Sequence, residues 1–262
     1  MTTPPTAMTI AGSDSGGGAG IQADLKTFHQ HGVYGTSVVT LVTAQNTQTV
    51  ATVEILTPDL VAAQLDAVVD DIPPQAAKTG ALGNAAIIET IAGRAATFSF
   101  PLVVDPVMVS KHGASLMDED AEQVLRRRLL PKAFLVTPNL PEAARLAEME
   151  VTDPVSMERA AVAISRLGPK NVLVKGGHLE GDPVDLLFSG GQTFSLPGER
   201  VDTRHTHGTG CVLSAAITAR LATGEELLEA VKGAKEFVSA AIRSNPGLGA
   251  GCGPINFHTP IP

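Results

Sequence analysis

Short runs rich in apolar and β-branched residues alternate along the chain with longer segments in which apolar residues recur every three or four positions. The short runs lie at residues 8–12, 36–41, 102–104, 134–137 and 172–174. Such runs are typical of parallel strands that are buried on both faces, and the helical segments between them can serve as crossovers. The pattern predicts an α/β fold with a mostly parallel central sheet flanked by helices on both faces.

Local signals locate some of the predicted elements more closely. Thr57 and Pro58 are residue types favoured at a helix N-cap and at the first helical position. Residues 184–188 and 192–196 predict an antiparallel strand pair around a Ser-Gly-Gly turn. Residues 225–243 carry one apolar stripe at helical spacing and predict a long amphipathic helix.

The composition narrows the class of protein. The 262 residues carry a formal net charge of −8 and contain two cysteines, Cys211 and Cys252. The acidic balance argues against a nucleic-acid partner, and no apolar run is long enough to span a bilayer. Without a disulfide framework or a basic export signal, the expected location is the cytoplasm. No repeat divides the sequence, so residues 1–262 are expected to form a single domain.

A glycine-containing stretch at residues 205–211 precedes a strongly apolar run that predicts a buried helix. Gly208, Thr209, Gly210 and Cys211 would then lie at a helix N-terminus, where unpaired amides and the helix dipole attract anions. The stretch is therefore a candidate cradle for a phosphoryl group. The same environment is expected to lower the pKa of the Cys211 thiol and make it a candidate base. A simple tight turn is the alternative interpretation.

Polar residues follow three of the predicted strands at their carboxyl ends, where ligands bind in open α/β sheets. These residues are Asp105, Asn139, Glu142 and Lys175. Two carboxylates suit Mg²⁺ together with phosphate oxygens, and a lysine can neutralise charge on a phosphoryl group in transfer. Each residue alone has a structural explanation, such as a turn cap, a helix start or a solvated strand end. Their recurrence at one edge favours phosphoryl transfer.

A second ligand is indicated near the N-terminus of the chain. Gln45 lies just past a predicted strand, where its amide is a candidate for recognising a heterocycle. Residues 13–20 form a glycine-rich segment that matches neither a dinucleotide-binding nor a Walker A motif. We interpret this segment as a flexible loop that covers a ligand, with Asp24 on the helix that follows; a mere connection is equally compatible with it.

Other interpretations fit part of the sequence. His207 near Cys211 suggests a Cys–His nucleophile pair for acyl transfer, and His205, His207 and Cys211 offer three ligands to Zn²⁺. Neither explains the polar residues at the strand ends. A non-catalytic nucleotide-binding protein requires the nucleotide groups but has no use for the cradle.

Several of these segments together resemble one kinase family. They are residues 11–24, 44–47, 137–143, 174–178 and 206–211. The set resembles the hydroxymethylpyrimidine/phosphomethylpyrimidine kinases of thiamine biosynthesis, which belong to the ribokinase-like superfamily, and the resemblance runs from about Met8 to Phe257. It implies an ATP- and Mg²⁺-dependent kinase that phosphorylates 4-amino-5-hydroxymethyl-2-methylpyrimidine and then its monophosphate. A pyridoxine or pyridoxal kinase is the alternative within the superfamily.

The resemblance also implies roles for individual residues. Gln45 would recognise the pyrimidine, with Gly12 and Asp24 close to it. The nucleotide and its metal would be bound by Asn139, Glu142 and Lys175. The anion hole and the base would be provided by Gly208, Thr209, Gly210 and Cys211. Such kinases are commonly homodimers. Ala81 stands where many relatives have methionine against the ring.

Overall fold

The computed structural model describes residues 3–109 and 117–261. Nine strands in these ranges form one sheet. The strands are β1 (Thr6–Asp14), β2 (Tyr34–Gln45), β3 (Val50–Ile55), β4 (Ala76–Thr79), β5 (Leu102–Val104), β6 (Leu135–Val136), β7 (Asn171–Val174), β8 (Val184–Ser189) and β9 (Gln192–Pro197). The α-helices are α1 (Gly20–Gln30), α2 (Pro58–Asp71), α3 (Ala85–Ala95), α4 (Glu119–Val124), α5 (Leu140–Ala147), α6 (Pro154–Ser165), α7 (Thr209–Ala222) and α8 (Leu227–Arg243).

The sheet has the order β3-β2-β1-β4-β5-β6-β7-β8-β9. The six strands from β2 to β7 in this order pair in parallel. Antiparallel pairing is confined to β3 at one edge and to β8 and β9 at the other. The predicted mostly parallel sheet and the predicted hairpin are both confirmed.

Alternate residues of the central strands pack against helices on opposite faces. Val104 and Val136 join the core that α2 to α6 cover, whereas Val103 and Leu135 join the core beneath α7 and α8. Because side chains along a strand alternate in direction, one short apolar run fills both cores. The prediction of helices on both faces is confirmed.

Capping side chains begin several helices where the sequence indicates. The hydroxyl of Thr57 accepts from the amide of Leu60 at the start of α2, as predicted. The predicted helix at residues 225–243 begins instead at Leu227, because Glu226 is its N-cap residue. The predicted strand at residues 8–12 extends to Asp14, so the glycine-rich connection is shorter than expected.

Helix α7 lies at the centre of one face of the sheet. Its residues from Val212 to Ala219 are buried, which matches the apolar run in the sequence. It therefore brings its N-terminus to the edge of the sheet at which the parallel strands end. No helix in the described ranges has the length and hydrophobicity needed to cross a membrane.

Candidate active site

The N-terminus of α7 forms an open backbone cradle. Gly208 is the N-cap residue and has a left-handed backbone with φ of 82°, a conformation that favours glycine. A Cβ at this position would overlap the carbonyl oxygen of Gly18. In the part of the chain that the structure describes, no side chain makes a capping hydrogen bond to the first amides of α7. The cradle is therefore free to accept an anion.

Lys175 lies against this cradle, on the same edge of the sheet. Its Nζ is 2.8 Å from Oδ1 of Asp105, which also accepts from the hydroxyl of Thr137 at 3.2 Å. A methyl group on Gly210 would lie 3.4 Å from that Nζ and 3.8 Å from Oδ2 of Asp105. The expected convergence of lysine, carboxylate and glycine turn at one place is therefore present.

Asn139 and Glu142 form the capping box of α5. The side chain of Asn139 accepts from the amide of Glu142 at 2.9 Å, and Glu142 accepts in return from the amide of Asn139 at 2.8 Å. The two residues thus have a structural role at a helix start. They also lie beside Lys175, because Asn139 and Lys175 form a parallel bridge.

The Glu142 carboxyl is held near the midpoint of its titration at neutral pH. Burial raises the pKa of Glu142 to about 7, with the Asp105 carboxylate adding to the rise and Lys175 opposing it. Two close carboxylates in a buried setting favour a divalent cation, since it would relieve their repulsion. Mg²⁺ commonly takes only one or two protein carboxylates and completes its shell with water and phosphate. Asp105 and Glu142 fit that requirement, and no group of three such ligands occurs in the described ranges.

Asp24 is fully buried, and each oxygen of its carboxylate has a hydrogen-bond partner. Oδ1 lies 2.6 Å from Nζ of Lys78, and Oδ2 accepts from the hydroxyl of Thr9 at 2.6 Å. Lys78 was not identified from the sequence. A single lysine within a short strand of otherwise uncharged residues is the signal that could have identified it, because a fully buried lysine requires a partner.

Gln45 ends β2 and faces the same cleft. Its Oε1 accepts from the hydroxyl of Thr43 at 3.3 Å, and its Nε2 lies 3.4 Å from Nε2 of His207. Gly12 also lines the cleft and lies tightly against the side chain of Leu41. Gln45, Gly12 and Asp24 therefore all line one cleft, as the resemblance implies.

The glycine-rich connection is tethered by Asp14. The carboxylate accepts from the amides of Gly16, Gly18 and Ala19. It also lies 2.9 Å from Nε2 of His207. Burial alone would raise the pKa of Asp14, but these hydrogen bonds outweigh it and lower the pKa below its ordinary value. The loop that we interpreted as flexible is thus anchored to the segment that carries the cradle.

The expected lowering of the Cys211 pKa is wrong. Burial raises the pKa of this thiol to about 11; Lys78 opposes the rise, the Asp24 and Asp105 carboxylates add to it, and the Gly20 amide donates to the sulfur and opposes it. The helix N-terminus is present as expected, but desolvation outweighs it. Cys211 is therefore a neutral thiol at pH 7. The hydrogen bond of His207 to Asp14 also gives no support to a Cys–His nucleophile pair.

These groups line one continuous cleft of about 1180 Å³. Gln45, Gly12 and Ala81 lie at the end beneath the glycine-rich loop. The other end, beyond Lys175, is lined by residues 198–203 and by α8. The volume is large enough for two ligands placed end to end, with the cradle between them.

Comparisons with known proteins agree over nearly the whole chain. The sequence profile described as phosphomethylpyrimidine kinase matches residues 14–256. The chain is 52% identical over 259 residues to the hydroxymethylpyrimidine/phosphomethylpyrimidine kinase of Synechococcus elongatus, covering 98% of both chains. It is 51% identical over 251 residues to the thiamine biosynthesis bifunctional protein ThiED of Geobacter sulfurreducens, covering 95% of this chain and 51% of that protein. An ADP complex of Bacillus subtilis pyridoxal kinase superposes with a TM-score of 0.92 at 40% identity, covering 98% of each chain.

Replacing Glu142 with glutamine should stabilise the fold relative to the wild type, and the difference should grow as the pH rises. The pKa of Glu142 is about 7 in the folded protein against 4.5 for an ordinary glutamate. The stability that its bound proton supplies is complete below about pH 4.5 and is lost as the pH rises through 7. The free energy of unfolding of the Glu142→Gln variant, relative to that of the wild type, should therefore increase by about 2 to 4 kcal/mol from pH 5 to pH 8.

Urea unfolding of both proteins at pH 5 and pH 8, without metal or nucleotide, measures this difference. Glu119→Gln removes a carboxylate from the exposed first turn of α4 and serves as the matched control. A Glu142→Gln gain that is the same at both pH values would show that the carboxyl is not held protonated by burial.

Proposed function

The chain belongs to the phosphomethylpyrimidine kinase family, and from that premise we propose that it transfers a phosphoryl group from ATP to 4-amino-5-hydroxymethyl-2-methylpyrimidine. The resulting monophosphate is the acceptor of a second transfer, which gives the pyrophosphate used in thiamine biosynthesis. The observation that carries this proposal is the ion pair of Lys175 with Asp105 beside Gly210. A cation, carboxylates and a helix N-terminus at one point are what phosphoryl transfer requires.

In this proposal the nucleotide and the acceptor occupy opposite ends of the cleft. ATP would lie along the edge that carries Asn139, Glu142 and Lys175, with its γ-phosphoryl group at the cradle. The amides from Gly208 to Cys211 would hold the oxygens of the transferring group, whose charge Lys175 would offset. Mg²⁺ bound by Asp105 and Glu142 would neutralise further phosphate charge.

The pyrimidine would lie beneath the glycine-rich loop. Gln45 would pair with its ring nitrogen and amino group, since one amide offers both a donor and an acceptor. Gly12 would let the ring approach the backbone. Cys211 is the proposed base for the hydroxyl that attacks the phosphoryl group, and it would act as the thiolate after its own proton has passed to solvent. The Lys78 ammonium, paired with Asp24, would favour that thiolate.

We also propose that the enzyme is a cytoplasmic homodimer of single-domain chains. Exposed apolar side chains on β2 and β3 support an interface there, namely Tyr34, Val42, Val53 and Ile55. The two cysteines are free thiols, which supports a reducing compartment. Sedimentation velocity would measure the mass of the particle, and a monomer at micromolar concentration would contradict the dimer.

Replacing Gly210 with alanine should separate folding from activity. The new methyl group has ordinary contacts, so the fold should persist and α7 should gain up to about 1 kcal/mol in stability. The same methyl group would lie 3.4 Å from Nζ of Lys175, in the space proposed for the phosphoryl group. The turnover number kcat should fall about 100-fold or more.

Thermal unfolding and steady-state kinetics measure the two effects on one sample. Gly208→Ala is the contrasting variant, because its methyl group overlaps the Gly18 carbonyl and should lower the melting temperature. Unchanged turnover in Gly210→Ala would show that the phosphoryl group does not bind in the cradle.

Gln45→Ala should impair use of the acceptor more than use of ATP. Loss of the amide should raise the KM for hydroxymethylpyrimidine about tenfold or more, because paired polar contacts are worth roughly 1 to 3 kcal/mol. Gln48→Ala, at an exposed position on the following turn, is the control. A rise in the KM for ATP larger than the rise in the KM for hydroxymethylpyrimidine would show that Gln45 contacts the nucleotide and not the acceptor.

A competition assay separates the two acceptor classes. Hydroxymethylpyrimidine and pyridoxal would be supplied together at equal concentration with limiting enzyme and excess ATP. We expect phosphorylated pyrimidine to form faster, and a clear preference for pyridoxal would overturn the assignment of the substrate.

A further inference from the structure

A second ion pair lies at the nucleotide end of the cleft, and the proposed transfer assigns it no role. Nζ of Lys235 on α8 lies 2.7 Å from Oδ2 of Asp185 on β8. The two side chains are only 12% and 11% exposed, and both residues line the cleft. Charged side chains at this depth are unfavourable unless each has a well-placed partner, so the pair requires an explanation.

The other oxygen of the Asp185 carboxylate binds the backbone next to Lys175. Oδ1 accepts from the amide of Gly176 at 2.8 Å. The pairing of β7 with β8 ends at Val174 and Leu186, so this hydrogen bond continues the contact between the two strands past that point. Because Gly176 directly follows Lys175, the carboxylate holds the peptide group that joins them.

The backbone of Lys175 is also held from the side of β6, the other neighbour of β7 in the sheet. Its amide donates to the carbonyl oxygen of Pro138 at 2.8 Å. A Cβ at Gly176 would overlap the carbonyl oxygen of Val184, so the chain lies closer to β8 than a residue with a side chain would allow. The Lys175 side chain therefore starts from a backbone that is fixed on both sides.

Lys235 holds the Asp185 carboxylate in place. An aspartate side chain has several rotamers, and the ion pair favours the one that reaches the Gly176 amide. A methyl group on Gly198 would lie 3.0 Å from Cε of Lys235, so the lysine stem packs against the segment at residues 198–203. Lys235 thus connects α8 to the end of β7 through one carboxylate.

We propose that Asp185 is a positioning residue for phosphoryl transfer, which through the amide of Gly176 sets where the Lys175 ammonium meets the transferring group. Lys235 is a positioning residue as well, because it orients Asp185. The inference rests on the proposed function, since it uses Lys175 as the cation at the phosphoryl group. A misplacement of about 1 Å can lower a rate about 100-fold, so the bond to Gly176 can decide how well Lys175 acts.

Two double variants isolate the hydrogen bond to Gly176. Both contain Lys235→Met, so neither has the ion pair or a lone buried ammonium. Asp185→Asn keeps an oxygen that accepts from Gly176, whereas Asp185→Ala offers no acceptor. We expect kcat within about fivefold of wild type for the asparagine variant and about 30-fold or more below it for the alanine variant, with both KM values within about threefold.

The same pair of variants in a Lys175→Met background shows whether Asp185 acts through that lysine. Their kcat values should then agree within about threefold, because a lysine that has been removed cannot be misplaced. Lys232→Met is the matched control, since Lys232 forms an exposed ion pair with Glu229 on the same helix. Melting temperatures would establish that each variant is folded. Asp185→Leu, which also lacks an acceptor but fills the space, replaces Asp185→Ala if that variant unfolds.

Equal turnover of the asparagine and alanine variants in the presence of Lys175 would overturn the proposal. A difference that persists undiminished without Lys175 would also overturn it, because general loosening of the site multiplies the two losses. A raised KM for ATP with unchanged kcat would make Lys235 a nucleotide contact and not a positioning residue. Failure of the proposed function is seen separately, in a wild-type enzyme that transfers no phosphoryl group to hydroxymethylpyrimidine or pyridoxal, and this inference would fall with it.

Discussion

The first turn of α7 lies between two buried lysine–aspartate pairs. Lys175 and Asp105 are joined at 2.8 Å on the nucleotide side, and Lys78 and Asp24 at 2.6 Å on the acceptor side. Both ammonium groups would be unfavourable at such depth without a carboxylate. The Lys175–Asp105 pair joins residues that follow β7 and β5, so it requires the assembled sheet, and the Lys78–Asp24 pair joins β4 to α1, so it also requires α1 to be packed on the sheet. The pairs therefore bring positive charge to the cradle without leaving an uncompensated ion in the core.

Residues at the carboxyl ends of parallel strands could be placed from the sequence alone. Asp105 and Lys175 are 70 positions apart, yet the strand order of an α/β fold brings both to one edge. Lys78 and Asp24, and likewise His207 and Asp14, could not be paired in this way. These contacts span 54 and 193 positions and depend on how helices pack on the sheet face. A local pattern contains no information on that packing.

The pKa of Cys211 shows why a local argument gave the wrong sign. A helix N-terminus typically stabilises a nearby anion by about 0.3 to 1 kcal/mol, whereas burying an unpaired charge costs several kcal/mol. The sequence shows the first effect, because the glycine turn and apolar run mark the helix start. The second effect depends on α1 and the glycine-rich loop, which cover the thiol and include the Gly20 amide that donates to it. Tertiary burial therefore decides the protonation state.

The central claim is that Lys175 faces the cradle across the transferring phosphoryl group. The most direct measurement compares kcat and the dissociation constant for ATP between wild type and Lys175→Met, with labelled transfer to hydroxymethylpyrimidine as the assay. We expect kcat to fall about 1,000-fold while ATP binding weakens by less than about tenfold, because the lysine acts mainly on charge that develops in transfer. Turnover within threefold of wild type would contradict the account.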